Sequence, residues 1–127
     1  MNAVPVISVI DDDASIRAGI NNLLRSLGYI VHLFPSAEAF LQSAQLTNTW
    51  CVISDVRMPA MSGVELQSLL RARGSELPFV FITAVPDEPV RARALKDGAI
   101  CFLTKPFDED VLIRCLDTAV ERGGSNR

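Results

Sequence analysis

At 127 residues, the chain is long enough for one domain that buries roughly two thirds of its unfolded surface, so no staple is needed to fold it. A net charge of -3 and a pI near 5.0, with lysines and arginines scattered, exclude the basic patch of a chain that itself grips nucleic acid. No basic N-terminal region leads into a long apolar segment, and no run approaches the ~18 residues that span a bilayer, so the expected location is cytoplasmic, with no membrane contact. In chain order, residues 5–10 are rich in β-branched side chains and run into Asp11, Asp12 and Asp13, which reads as a strand ending in acid. Asp13 reads as the N-cap of a helix whose face carries Ile16, Ile20, Leu23, Leu24 and Leu27, closed by Gly28. Residues 29–34 predict a short strand with His32 on its surface, and Ser36 then caps a helix that turns Phe40, Leu41 and Ala44 inward.

The stretch from Trp50 to Pro59 organises the rest. An apolar run too short for a typical helix climbs through Ser54 to Asp55, and Pro59 forbids simple continuation. A buried strand therefore delivers a carboxylate to its own end, where it can act as a nucleophile or a metal ligand; in mid-strand it would be an unpaired charge. Ser62 to Glu65 has the form of a capping box, followed by the stripe Leu66, Leu69 and Leu70, with Gly74 ending the helix. Residues 78–83 form another buried strand, ending in the hydroxyl of Thr83. Pro89 suits the first turn of a helix that reaches Gly98 and carries Arg91 and Arg93. Residues 99–103 predict a fifth strand, followed by Thr104, Lys105, Pro106 and Phe107. A last helix is striped by Val111, Leu112, Cys115, Leu116 and Ala119, and residues 123–127 read as a tail or the start of a linker, with the domain occupying 1–122. The odd set Cys51, Cys101 and Cys115 has no metal-site spacing and is expected as reduced core thiols.

Five short apolar strands alternating with five helices imply an open, doubly wound α/β sheet, because parallel strands buried on both faces need crossover helices. In such a sheet the carboxyl ends share one edge, and ligands bind there where strand order reverses. Asp11, Asp12, Asp55, Thr83 and Lys105 would all lie on that edge. Carboxylates a few ångströms apart repel by about 4 kcal/mol per close pair at an effective dielectric of 20, so a cation belongs among them. A magnesium ion fits oxygen donors of this kind and leaves room for a phosphate. Flanked by that ion and the Lys105 ammonium, Asp55 can accept a phosphoryl group, with Thr83 in reach as a donor.

Taken in order, Val9 to Asp13, Asp55 to Pro59, Ser62-Gly63, Val80 to Ala84, Gly98-Ala99 and Lys105-Pro106-Phe107 resemble the receiver domain of two-component response regulators over residues 5 to about 121. Residues 36–41 and 61–66 are most similar to FixJ-type receivers, which are usually fused to a helix-turn-helix output domain. The resemblance implies a flavodoxin-like, CheY-like sheet of order 2-1-3-4-5. It implies phosphorylation of Asp55 by a sensor histidine kinase, and Mg2+ on Asp12, Asp55 and the carbonyl of Arg57, with Asp11 acting through water. Lys105 would pair with the phosphoryl oxygens beside a cis bond to Pro106, while Thr83 and Phe102 form the switch. The helix from Pro89, the fifth strand and the last helix would change partners, forming a homodimer or driving an output domain absent from this chain, through which DNA would be bound. Arg57 and Val85 occupy positions that tune acyl-phosphate lifetime in this family, and the proline-rich residues 85–89 depart from its usual small-residue loop.

Two rivals use the same residues differently. Residues 6–15 also resemble the nucleophile and acid pair of haloacid-dehalogenase-type phosphatases, with Asp11 phosphorylated and Asp13 protonating the leaving group; that scheme leaves Asp55 without a task. A non-chemical interaction module would leave the filled set of five chemical positions unexplained.

Overall fold

Period-two alternation along the central strands decides the layers. In the computed structural model, which describes residues 3–125, β1 (Val6–Ile10) and β3 (Cys51–Asp55) run parallel, with Val9 opposite Ile53. With β2 (Ile30–Phe34), β4 (Phe79–Thr83) and β5 (Cys101–Thr104) they form one sheet of order β2-β1-β3-β4-β5, every neighbouring pair parallel. Ile7, Val9, Cys51, Ile53, Val80 and Ile82 face one core, closed by Ile20 and Leu24 of α1 (Ala14–Ser26) and Leu112 and Leu116 of α5 (Glu109–Ser125). Ile10, Val52, Phe79 and Phe81 face the other. That side is covered by Phe40 of α2 (Ala37–Leu41), Leu66 and Leu70 of α3 (Gly63–Ala72) and Ala94 of α4 (Glu88–Lys96). β1, β3 and β4 are thus buried on both faces, and the strand order reverses between β1 and β3, whose ends carry Asp11 and Asp55.

Local signals set most boundaries. Asp13 caps α1 by accepting from the Ser15 and Ile16 amides, Ser36 caps α2, and Ser62 and Glu65 form the reciprocal capping box of α3. Asp87 caps α4, one residue before the first-turn pair Glu88 and Pro89. Several expectations change. Leu27 is the C-cap of α1 and is exposed, because the chain turns away at Gly28 rather than completing the helix face. Ala44 is exposed too: α2 stops at Leu41, and Ser43 caps a separate 3-10 helix, Ala44–Asn48.

The glycines expected to open a loose tail instead extend α5 through Gly123 and Gly124. A Cβ on Gly123 would lie 2.1 Å from the Trp50 carbonyl oxygen, so a side chain there is excluded by the start of β3. Residues 126 and 127 of the expected tail lie outside the described residues. The thiol expectation is also corrected. Cys101 and Cys115 form a disulfide between β5 and α5, leaving Cys51 as the free, buried cysteine; the facing positions on strand and helix make a pair that linear spacing does not reveal.

Among the described residues one non-glycine backbone position is strained. Ala60, between β3 and α3, has φ +65°, in the left-handed region that costs a Cβ-bearing residue about 1 kcal/mol. Ala60→Gly is expected to raise stability by about 1 kcal/mol, measured by urea unfolding; a loss of stability would mean that the alanine methyl contributes packing exceeding that strain.

Candidate functional site

The edge formed by the strand ends gathers the residues singled out in the sequence. Asp11, directly after β1, is fully buried, and its two carboxylate oxygens have different partners. Oδ1 accepts from the Asp13 amide at 2.9 Å, while Oδ2 accepts from Lys105 Nζ at 3.3 Å. Arg17 Nη1 donates to the Asp11 carbonyl at 2.5 Å, fixing the turn into α1. Asp12 follows as an exposed carboxylate. Asp55 closes β3, nearly buried, with Oδ2 3.8 Å from Lys105 Nζ. One oxygen from each of Asp11, Asp12 and Asp55 lies within 4.8 Å of the others, so the three together can hold a metal ion. Burial, and then the charge of Asp11, push the Asp55 carboxyl above its ordinary range, opposed by the Lys105 ammonium and the Arg57 amide. One lysine therefore does not offset three acids, and the surplus negative charge suits a hard cation with oxygen ligands.

Close backbone approach helps hold this geometry. Gly63, the first residue of α3, donates its amide to the Val56 carbonyl at 3.0 Å. A Cβ there would fall 2.3 Å from the Asp55 carbonyl oxygen and 2.7 Å from Ser54 Oγ. Gly63→Ala is expected to cost about 2 kcal/mol or more, because the nearest atom is backbone and α3 must back away. Thermal melts of the metal-free chain would test this, and an unchanged midpoint would rule out the crowding.

Thr83, at the end of β4, is buried; its hydroxyl donates to the Val85 carbonyl at 3.1 Å and accepts from the Val85 amide at 3.2 Å. Lys105 follows β5, its amide bonded to the Thr83 carbonyl at 2.7 Å, and its peptide bond to Pro106 is cis. Phe102 is half-buried in β5, 6.1 Å from the Phe81 ring. The Arg57 side chain is exposed and points to Asp87, with Nη2 3.5 Å from Oδ2. That link, between the loop after β3 and the cap of α4, was not anticipated; the sequence signal for Asp87 was its place just before Pro89, which marks a cap and not an arginine partner. Asp13 turns its carboxylate to Ser15 and Ile16, and Asp11 has both oxygens engaged. In the phosphatase alternative Asp13 would have to leave its cap, and Asp11 its bonds to the Asp13 amide and Lys105.

The family model described as the response regulator receiver domain matches residues 7–117. Transcriptional regulatory protein FixJ of Bradyrhizobium diazoefficiens is 42% identical over 116 residues, covering 91% of this chain and 57% of that protein. Response regulator protein TodT of Pseudomonas putida is 38% identical over 122 residues, covering 96% and 54% respectively. Among solved structures, response regulator StyR superposes with a TM-score of 0.90 at 44% identity, over 98% of this chain and 63% of that one. FixJ-N superposes at 0.82 and 34% identity, over 95% and 96%. The chain spans about half the length of these curated relatives.

Proposed function

The chain belongs to the response regulator receiver family, and on that premise we propose that it is a phosphorylation-dependent signalling switch in which Asp55 accepts a phosphoryl group from a sensor histidine kinase. The observation that carries this reading is the convergence of Asp11, Asp12 and Asp55, with the Lys105 ammonium 3.3 Å from Asp11 Oδ2 and 3.8 Å from Asp55 Oδ2. A carboxylate oxygen of Asp55 attacks phosphorus, the bond to the donor nitrogen or oxygen breaks, and the departing group keeps the electron pair. Asp12, Asp55 and the Arg57 carbonyl would hold Mg2+, with Asp11 acting through water. When bound, that ion supplies positive charge to the transferring oxygens. Lys105 offsets charge on the same oxygens from the other side.

The signal then leaves by two side chains. The Thr83 hydroxyl gives up its bonds to Val85 and donates to the phosphoryl group, and Phe102 turns toward the space beside Phe81. The face formed by α4, β5 and α5 changes partners, as a homodimer or against an output domain. Such an output domain, through which DNA would be bound, would follow α5, in keeping with a chain that covers about half of its curated relatives. Among the described residues no helix is long and apolar enough to cross a membrane; the proposed cytoplasmic location rests on membership of the response regulator receiver family.

The test is incubation with a small phosphoryl donor and Mg2+, followed by mapping of the modified residue by mass spectrometry. Modification at Asp55 supports the switch, modification at Asp11 supports the phosphatase scheme, and an unmodified chain removes both. Sedimentation of modified and unmodified protein separately tests the dimer, since an unchanged mass removes that part alone.

A further inference from the structure

The Cys101–Cys115 pair stands outside the phosphoryl site, and a fold with two apolar cores needs no covalent staple. The disulfide joins β5 to α5 and closes the segment containing Phe102, Lys105 and Pro106. It borders an open groove of about 330 Å³ whose lining residues include both cysteines together with Arg114 and Arg122. Positive charge beside a thiol favours the thiolate, and access through a groove makes a disulfide exchangeable. Cys51 differs on both counts: it is fully buried, and burial pushes its thiol far above the ordinary range. Of the three cysteines, Cys101 and Cys115 line a groove at the β5–α5 junction, whereas Cys51 is buried.

We propose that Cys101 and Cys115 form a reversible dithiol–disulfide site at which hydrogen peroxide clamps β5 to α5. Cys101, the more exposed of the two, attacks the peroxide; the O–O bond breaks, and a sulfenic acid and water form. The Cys115 sulfur then attacks the sulfenic sulfur, forming the S–S bond and releasing a second water. Two thiols lose two electrons and two protons, and the peroxide is reduced to two waters. A dithiol reductant reverses the change by exchange. The clamp restrains the strand that carries Phe102 relative to the helix beside it, on the face through which the proposed signal leaves. In the reducing compartment proposed above, such a bond reports oxidative conditions.

The test uses the full chain and no phosphoryl donor, so its outcome is independent of the fate of Asp55. Protein reduced with dithiothreitol, then treated with hydrogen peroxide, is denatured and alkylated, and its thiols are counted by mass. Three thiols before oxidation and one after it, with the chain monomeric and all three recovered by dithiothreitol under native conditions, is the expected result. Amide exchange over residues 102–114 is expected to slow by roughly tenfold in the oxidised form, and Cys101→Ser is expected to show no such response to peroxide. Three surviving thiols, cross-linked dimers, a bond that native reductant leaves intact, or equal exchange in the two forms would each overturn the proposal. The comparison of reduced and oxidised wild-type protein stands even if Cys101→Ser fails to fold.

Discussion

Asp55→Asn is expected to abolish phosphoryl uptake from a small donor in the presence of Mg2+, a loss of at least about 1,000-fold, because the amide removes the attacking oxyanion. The same change is expected to stabilise the metal-free protein at neutral pH by about 1 kcal/mol, the scale of a typical single substitution. The sign follows from the environment of Asp55. Burial, then Asp11, raise its carboxyl above 3.8, so the folded chain holds a proton there more readily than the unfolded chain does. Stability is therefore lost as pH rises through the folded pKa, and the full cost of the charge is present above it. In chelator, the advantage of Asp55→Asn should be greatest near pH 7 and shrink as pH falls toward 4, read from urea midpoints across that range. Mg2+ should then stabilise wild-type protein more than the variant, since an ion bound to the folded state adds stability in proportion to its affinity. An advantage independent of pH would show that the Asp55 charge is not what the amide removes.

Lys105→Ala is expected to leave Mg2+ binding in place while slowing phosphoryl uptake by about 100-fold or more, the scale of losing one preorganised charge at a transferring group, and to fail to pass on the signal. It should also destabilise the metal-free chain by about 3 kcal/mol, because Asp11 is fully buried and its Oδ2 bonds to Lys105 Nζ at 3.3 Å. Two observations separate the chemical role from the structural one. Adding Asp11→Asn should recover much of the lost stability, since the orphaned charge is removed, and should not recover the rate. Saturating Mg2+ should likewise restore the melting temperature without restoring uptake. Lost Mg2+ binding in Lys105→Ala would instead mark the lysine as part of the scaffold that shapes the ion site.

Where pattern and chemistry coincide, the sequence was sufficient. Short apolar runs ending in Asp11, Asp55, Thr83 and Lys105 implied a parallel sheet with one chemical edge, and strand order 2-1-3-4-5 brings those ends together. The caps at Asp13, Ser36 and Ser62 were legible because a capping side chain bonds amides two or three residues away. What escaped depends on contacts between distant segments. Gly123 reads as linker until α5 is laid against Trp50, and Cys101 and Cys115 read as separate core thiols until β5 and α5 face each other. Leu27 matches the helix period but falls on the cap, where the chain leaves the core. The Arg57 to Asp87 link likewise joins two loops that periodicity cannot align.

The most direct measurement is a structure of the chain with Mg2+ and beryllofluoride, a tetrahedral mimic of a phosphoryl group. The adduct is expected on an Asp55 oxygen, with the ion held by Asp12, Asp55 and the Arg57 carbonyl, and Lys105 and Thr83 turned onto the fluorides. An adduct on Asp11, or none at saturating reagent, would contradict that expectation.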